Sequence, residues 1–164
     1  EIVIKAPWAT QSYFQREDLT RLAKIKDEDS FWHRMGDLGR LDEQNRLWFY
    51  GRKSQRVITK SGTLYTIPCE AIFNQHPDVK RSALVGTGFR NKQKPIIIIE
   101  PASSERINSS TERENFTEEL LKHGAAFHLT QSIQKVLFHS NFPVDVRHNA
   151  KIFREKLSLW AENQ

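Results

Sequence analysis

A single cysteine, Cys69, occurs in the 164 residues. No internal disulfide can form, so the fold must rest on packing and hydrogen bonding, as in a reducing compartment. One cysteine also cannot furnish the cysteine-rich ligand sets of structural zinc sites. His33, His76, His123, His128 and His139 show no metal-ligand spacing, and no metal site is expected in the chain. Long apolar runs are missing too. The longest aliphatic stretch is Ile96 to Ile99, against the roughly 20 apolar residues a membrane-spanning helix needs. The chain opens Glu1-Ile2-Val3-Ile4, with neither an initiator methionine nor a basic-then-apolar leader. The expectation is therefore a cytoplasmic fragment of a longer protein, without signal peptide or membrane span. Charge of one sign is not concentrated anywhere: 25 basic residues intermix with 20 acidic ones, for a net charge of +5. That balance is compatible with anionic ligands such as nucleotides, coenzyme A or nucleic acid. A basic nucleic-acid-binding module would be expected to show a stripe of lysine and arginine, and no segment does.

Hydrophobic residues make up 38% of the chain and charged residues 27%, the balance of a soluble globular protein. Glu1 to Lys5 reads as a strand, and Thr20 to Glu28 as a short helix or loop. Turn formers at Asp42 to Asn45 separate two apolar runs, Gly36 to Leu41 and Arg46 to Arg52, which predicts a β-hairpin. With Gln44 and Asn45 as the turn, residue 43 faces 46 and residue 37 faces 52; a four-residue turn shifts the register by two, and either way Asp37 and Arg52 end up near each other at the open end. Lys53 to Arg56 is polar and short, a candidate domain boundary. Beyond it the pattern predicts a strand over Arg56 to Thr59, a turn at Ser61-Gly62 and a helix opening at Pro68 and running to Gln75. Val79 to Gly86 and Lys94 to Glu100 read as strands, and Ser103 to Ser110 as a polar loop. A helix is expected from Thr111, capped by Glu114 and ended by Gly124. Lys135 to His139 reads as a third strand and Asn141 to Asn149 as a loop. Phe153, Leu157 and Trp160 follow helical spacing in a last helix over Ala150 to Glu162. The fold class is α+β: a small domain with a central, three-stranded sheet flanked by helices, preceded by a β-hairpin segment.

Three places could carry chemistry. Asp37 and Arg52 meet at the open end of the hairpin beside Gly36 and Gly51. They form either a ribose- and phosphate-binding pair or an ordinary surface ion pair. The loop Thr59-Lys60-Ser61-Gly62-Thr63 lacks the spacing of a phosphate-binding loop and by itself is a turn. Arg147-His148-Asn149-Ala150-Lys151 gathers positive charge, with Asn149 as a helix cap and Lys151 in the first helical turn. This is either an anion site or a solvated basic loop. Trp32, Trp48, Phe49 and Phe89 are expected in the core rather than as a base-stacking platform.

Taken in order, these segments resemble one family. A strand is followed by Met35-Gly36-Asp37-Leu38-Gly39, a hairpin, Gly51-Arg52, a polar hinge and a glycine loop. Then come Ile67-Pro68-Cys69-Glu70-Ala71-Ile72 and a lysine near the end. The order is similar to the C-terminal part of the adenylate-forming enzymes, which include acyl-CoA synthetases, luciferases and peptide-synthetase adenylation domains. The resemblance implies that residues 1–52 end a large N-terminal domain and that residues 53–164 form a small domain that rotates between two half-reactions. It implies that Lys151 is the catalytic lysine of adenylation, that Asp37 and Arg52 bind the nucleotide, that Ser54 lies at the hinge and that Gly62 belongs to the glycine loop. It further implies ATP and a long-chain acid as substrates, with Mg2+ held mainly by the N-terminal domain. Met35 stands where threonine is common in the family, Ser54 where aspartate or lysine is usual, and Ala150 where glycine precedes the lysine. The stretch from Gly51 to Gly62 is one residue longer than usual. Thr66 to Ala71 and Val144 to Leu157 resemble one branch in particular, the β-lactone synthetases of bacterial olefin synthesis. In that branch the substrate's own β-hydroxyl closes the ring, and other olefin-pathway enzymes are partners. The alternative is a fatty acyl-CoA ligase, which would use coenzyme A.

Overall fold

The structure, a computed structural model, describes the backbone of residues 1–164 and the side chains of all but residues 148–150. The chain divides into two compact units, Glu1–Ser54 and Gln55–Gln164.

In the first unit, β1 (Val3–Ile4) and β2 (Lys24–Asp27) flank β3 (Ser30–Arg34) in an antiparallel sheet, and α1 (Glu17–Ala23) leads directly into β2. A hairpin of β4 (Asp37–Leu41) and β5 (Leu47–Arg52) follows. Its turn is wider than either the two-residue or the four-residue turn expected. Leu41 pairs with Leu47, so residues 42 to 46 form the loop, and residue 43 does not face residue 46. The Asp42 carboxylate builds this loop by accepting from the amides of Gln44 and Arg46 (3.0 and 2.9 Å) and from the Trp48 indole (2.8 Å). The indole bond chiefly holds its carboxyl down to about 2. Asn45 adopts a left-handed φ of 57°, a conformation asparagine tolerates well. A bulge beside Leu38 then takes up the offset, and Asp37 pairs with Arg52 as expected. Gly36 and Gly51 sit at φ of 70° and 106°, so both are required by the backbone and do more than leave space.

The second unit is a three-layer sandwich. Its sheet has the order β10 (Val136–Phe138), β9 (Lys94–Pro101), β8 (Val79–Thr87), with β8 antiparallel and β10 parallel to β9. Successive side chains of a strand point to opposite faces, and here both faces are covered. Leu84, Ile97 and Ile99 pack with Phe73 of α2 (Thr66–Phe73) and with Phe116 and Leu120 of α3 (Ser110–Ala125). Ala83, Val85, Ile96 and Ile98 pack with Leu157 and Ala161 of α4 (Arg154–Glu162). A strand buried on both sides is uniformly apolar rather than alternating, which accounts for the run Ile96 to Ile99. Two short hairpins complete the unit: β6 (Val57–Ile58) with β7 (Thr63–Leu64), and β11 (Val144–Asp145) with β12 (His148–Ile152). This is the α+β architecture read from the sequence.

Several boundaries differ from expectation. Helix α2 begins at Thr66, so Pro68 is its third residue, still within the turn whose amides have no helical partner. The capping box of α3 is Ser109 with Glu112 rather than Thr111 with Glu114. The polar segment before it holds a 3-10 turn, Ser104–Ile107. Gly124 lies inside α3 rather than ending it. The last helix starts at Arg154 with Phe153 as its cap, because residues 148–152 are strand. Trp32, Trp48 and Phe49 are substantially exposed and Phe89 is 90% exposed, contrary to their expected place in the core. Among the described residues, no helix is long and apolar enough to cross a membrane.

A Cβ on Gly124 would lie 2.6 Å from Cζ of Phe73, whose side chain is fully enclosed. Gly124→Ala is therefore expected to destabilise the chain by about 1–3 kcal/mol, outweighing the roughly 1 kcal/mol gained in helix propensity. Urea denaturation measures the difference, and an unchanged or raised midpoint would show that the Phe73 ring can yield.

Candidate active site

Asp37 ends the hairpin on β4, and Arg52 lies opposite on β5. Arg52 Nη1 sits 3.2 Å from Asp37 Oδ1 but donates its hydrogen bond to the Met35 carbonyl at 2.9 Å. Asp37 Oδ1 is enclosed and accepts no hydrogen bond. A carboxylate oxygen with unused acceptor capacity is suited to a ligand hydroxyl, whereas a half-exposed ion pair alone adds little stability. Ser54 is exposed in a 3-10 turn, Lys53–Gln55, and is the last residue of the first unit. Gly62 closes the tip between β6 and β7. Its carbonyl accepts from the Thr59 amide and hydroxyl, both at 2.9 Å, and its φ is 148° with open space around the Cα.

Lys151 is exposed on β12, not in the first turn of α4. The hairpin that carries it is irregular. The step from Val144 to Asp145 on β11 is opposed by the step from His148 to Ile152 on β12. Lys151 thus rides on the longer side of a bulge, a common device for aiming a side chain. Its neighbour Ile152 is buried in the core beneath α4. The Phe153 amide then bonds the Pro143 carbonyl at 2.9 Å. The expected cluster of positive charge is weaker than its composition suggests. Arg147 folds back on Asp145, with its Nε and Nη2 each 3.2 Å from the carboxylate. Arg147 first, and Lys151 last, hold the Asp145 carboxyl below its ordinary range. Asn149 cannot cap α4, which begins beyond it. The side chains of His148, Asn149 and Ala150 lie outside the described residues.

A buried ion pair, not singled out as a site in the sequence, supports this region. Glu70 of α2 accepts from Arg154 Nε at 2.9 Å and Nη2 at 2.5 Å, and from the Leu84 amide at 2.9 Å. Burial pushes the Glu70 carboxyl up, while Arg154 and the amide pull it back. Gln55 joins the pair: its Oε1 accepts from Arg154 Nη1 at 3.4 Å, and its Nε2 donates to Glu155 at 3.2 Å. Glu70 and Arg154 are 84 positions apart, so no local pattern connects them. Glu70 stands as a lone charge among apolar neighbours, but Arg154 is followed by Glu155 and Lys156 and gives no such sign. On the far side of the sheet, Glu100 accepts from Lys80 at 2.6 Å, Arg81 at 2.7 Å and the amide of buried Phe142 at 2.9 Å, which fixes the segment leading into β11. Among the described residues, no group of three or more His, Cys, Asp or Glu could hold a metal ion.

No protein-family model matches the chain. In architecture it is similar, with a TM-score of 0.75 and 21% identity, to an anthranilate-CoA ligase solved with anthranoyl-AMP. That match covers 98% of this chain and 29% of the ligase. The fold is that of the C-terminal part of the adenylate-forming enzymes. In sequence it is 46% identical to an olefin β-lactone synthetase of Xanthomonas campestris over the whole of this chain and 30% of the synthetase. A 2-succinylbenzoate-CoA ligase of Bacillus cereus is 37% identical over 52% of this chain and 17% of the ligase. The chain thus spans about 30% of the length of the β-lactone synthetase relative it matches.

Burial pushes the Glu100 carboxyl up, but its three donors prevail and hold it down to about 2, against an ordinary 4.5. Because the folded value is the lower one, this contribution to stability is complete above about 4.5 and is lost as pH falls toward about 2. Glu100→Gln is expected to cost about 1.5–3 kcal/mol at neutral pH. The cost should shrink as pH falls through that window in thermal melts. A cost independent of pH would contradict the assignment.

Proposed function

We propose that the full-length protein activates a long-chain β-hydroxy acid with ATP and closes the acyl-adenylate to a β-lactone. The observation that carries this reading is the 46% identity to an olefin β-lactone synthetase along the entire chain. The likeness to the 2-succinylbenzoate-CoA ligase is confined to about half of it. In the first step a carboxylate oxygen attacks the α-phosphorus of ATP and pyrophosphate leaves. Negative charge gathers on the carboxylate and α-phosphate oxygens, and the Lys151 ammonium, presented on its bulge, would stabilise it. Asp37 would accept a ribose hydroxyl at its unused Oδ1, with Arg52 beside it on ribose or phosphate. In the second step the β-hydroxyl oxygen attacks the acyl carbon, its proton passes to base and AMP leaves. Holding both groups in one molecule favours this ring closure over attack by an outside nucleophile.

In this reading residues 1–52 complete a large N-terminal domain and residues 53–164 are the mobile domain, with Ser54 as hinge and Gly62 at the tip of the glycine loop. The division of contacts after Ser54 supports the arrangement. Among the described residues no cluster of His, Cys, Asp or Glu could hold a metal ion. Mg2+ accompanying ATP would be held mainly by the N-terminal domain. A cytoplasmic location and partnership with other olefin-pathway enzymes belong to the same proposal. The second reading, a fatty acyl-CoA ligase, draws on the shorter match to the CoA ligase.

Full-length protein incubated with ATP, Mg2+ and a long-chain β-hydroxy acid should yield β-lactone and AMP without coenzyme A. A thioester formed only when coenzyme A is added would establish the second reading instead. Lys151→Ala should lower pyrophosphate release about 100-fold or more, and near-normal release would remove Lys151 from the mechanism. Asp37→Ala should act mainly on ATP, raising its KM.

A further inference from the structure

Lys151 is exposed on a bulge, so something must fix the strand from which it projects. Ile152 supplies an apolar anchor next to it. An apolar contact limits depth but not direction, and the polar anchor begins two residues further on. Arg154 is the first residue of α4, with a side chain only 14% exposed. Its guanidinium meets Glu70 through two parallel bonds, a fork geometry that constrains angle as well as distance. Glu70 is itself held on the central sheet by the Leu84 amide. The third guanidinium nitrogen reaches Gln55, the first residue of the second unit, whose amide also holds Glu155. One guanidinium thus ties the exit of the lysine strand to α2, to β8 and to the start of the unit.

We propose that Arg154 is a positioning residue for adenylation. Clamped by Glu70 and Gln55, it sets the direction in which Lys151 leaves β12 and makes the lysine move as one body with the start of the second unit. The inference rests on the adenylation reading of Lys151. Both side chains are largely enclosed, so the role assigned to the pair does not turn on its charge. It requires the fork: lysine at position 154 keeps the charge and loses the bidentate geometry.

The test is ATP–pyrophosphate exchange by the full-length protein with a long-chain β-hydroxy acid, comparing wild type, R154K, Q55A and K151A. Misaligning Lys151 weakens the transition state and leaves ground-state binding intact. R154K should therefore lower kcat about 10- to 100-fold with KM for ATP within about 3-fold. Q55A, which removes only the two longer bonds, should lower kcat about 3- to 10-fold in the same way, and decides the matter should R154K fail to fold. Rates are normalised to folded protein measured by circular dichroism. A loss that merely follows the folded fraction, or wild-type kcat in a folded R154K or in Q55A, overturns the proposal. K151A separates the two ideas: if it exchanges as well as wild type, the adenylation reading itself fails. If K151A is inactive while R154K is normal, only the positioning role fails.

Discussion

The burial of β9 on both faces is the constraint from which the second unit follows. Ile97 and Ile99 face α2 and α3, while Ile96 and Ile98 face α4. Burying a side chain of this size is worth about 1.5–3 kcal/mol, so neither helical layer can be lost without exposing half of the strand. The need for a cover on the second face is met by α4, together with Phe142 and Ile152. Those two residues bracket the irregular β11–β12 hairpin. Lys151, the residue proposed for the chemistry, thus lies next to a buried anchor of this layer, with its own side chain left exposed.

Polar anchors do for direction what the core does for position. Glu100 and Glu70 are both deeply enclosed carboxylates, and each gathers three donors from distant parts of the chain. Buried carboxylates are costly unless fully bonded, and removing one partner strands the others. One fixes the entry to the lysine hairpin through the Phe142 amide, and the other fixes its exit through Arg154. In the first unit the corresponding task falls to Asp42, which builds the turn of the hairpin whose far end holds Asp37 and Arg52.

Strong local signals were legible in the sequence. The apolar run at Ile96 to Ile99, the strands on either side of it and the helical spacing of Leu157 and Trp160 all reappear as elements of the second unit. The Asp37–Arg52 pairing was legible as well, although a five-residue loop and a compensating bulge produce it, not the two- or four-residue turn expected. What failed depended on tertiary context. Asn149 resembles a cap and so points to a helical Lys151, but strand pairing with Val144 and Asp145 extends through Ile152 and delays the helix to Arg154. Trp32, Trp48, Phe49 and Phe89 are aromatic residues expected in the core, whereas each remains substantially exposed. The Glu70–Arg154 pair had no sequence signature, because its partners meet only when α2 and α4 close over opposite faces of the same sheet.

The central claim is that a carboxylate oxygen of the acid attacks the α-phosphorus of ATP. It is tested most directly by giving the full-length protein a long-chain β-hydroxy acid labelled with 18O in both carboxyl oxygens and analysing the products by mass spectrometry. The account predicts one 18O atom in AMP and none in pyrophosphate, with one remaining in the acyl product. Label in inorganic phosphate alongside ADP would mean attack at the γ-phosphorus, and unlabelled AMP would mean that no acyl-adenylate forms. Either result would contradict the account.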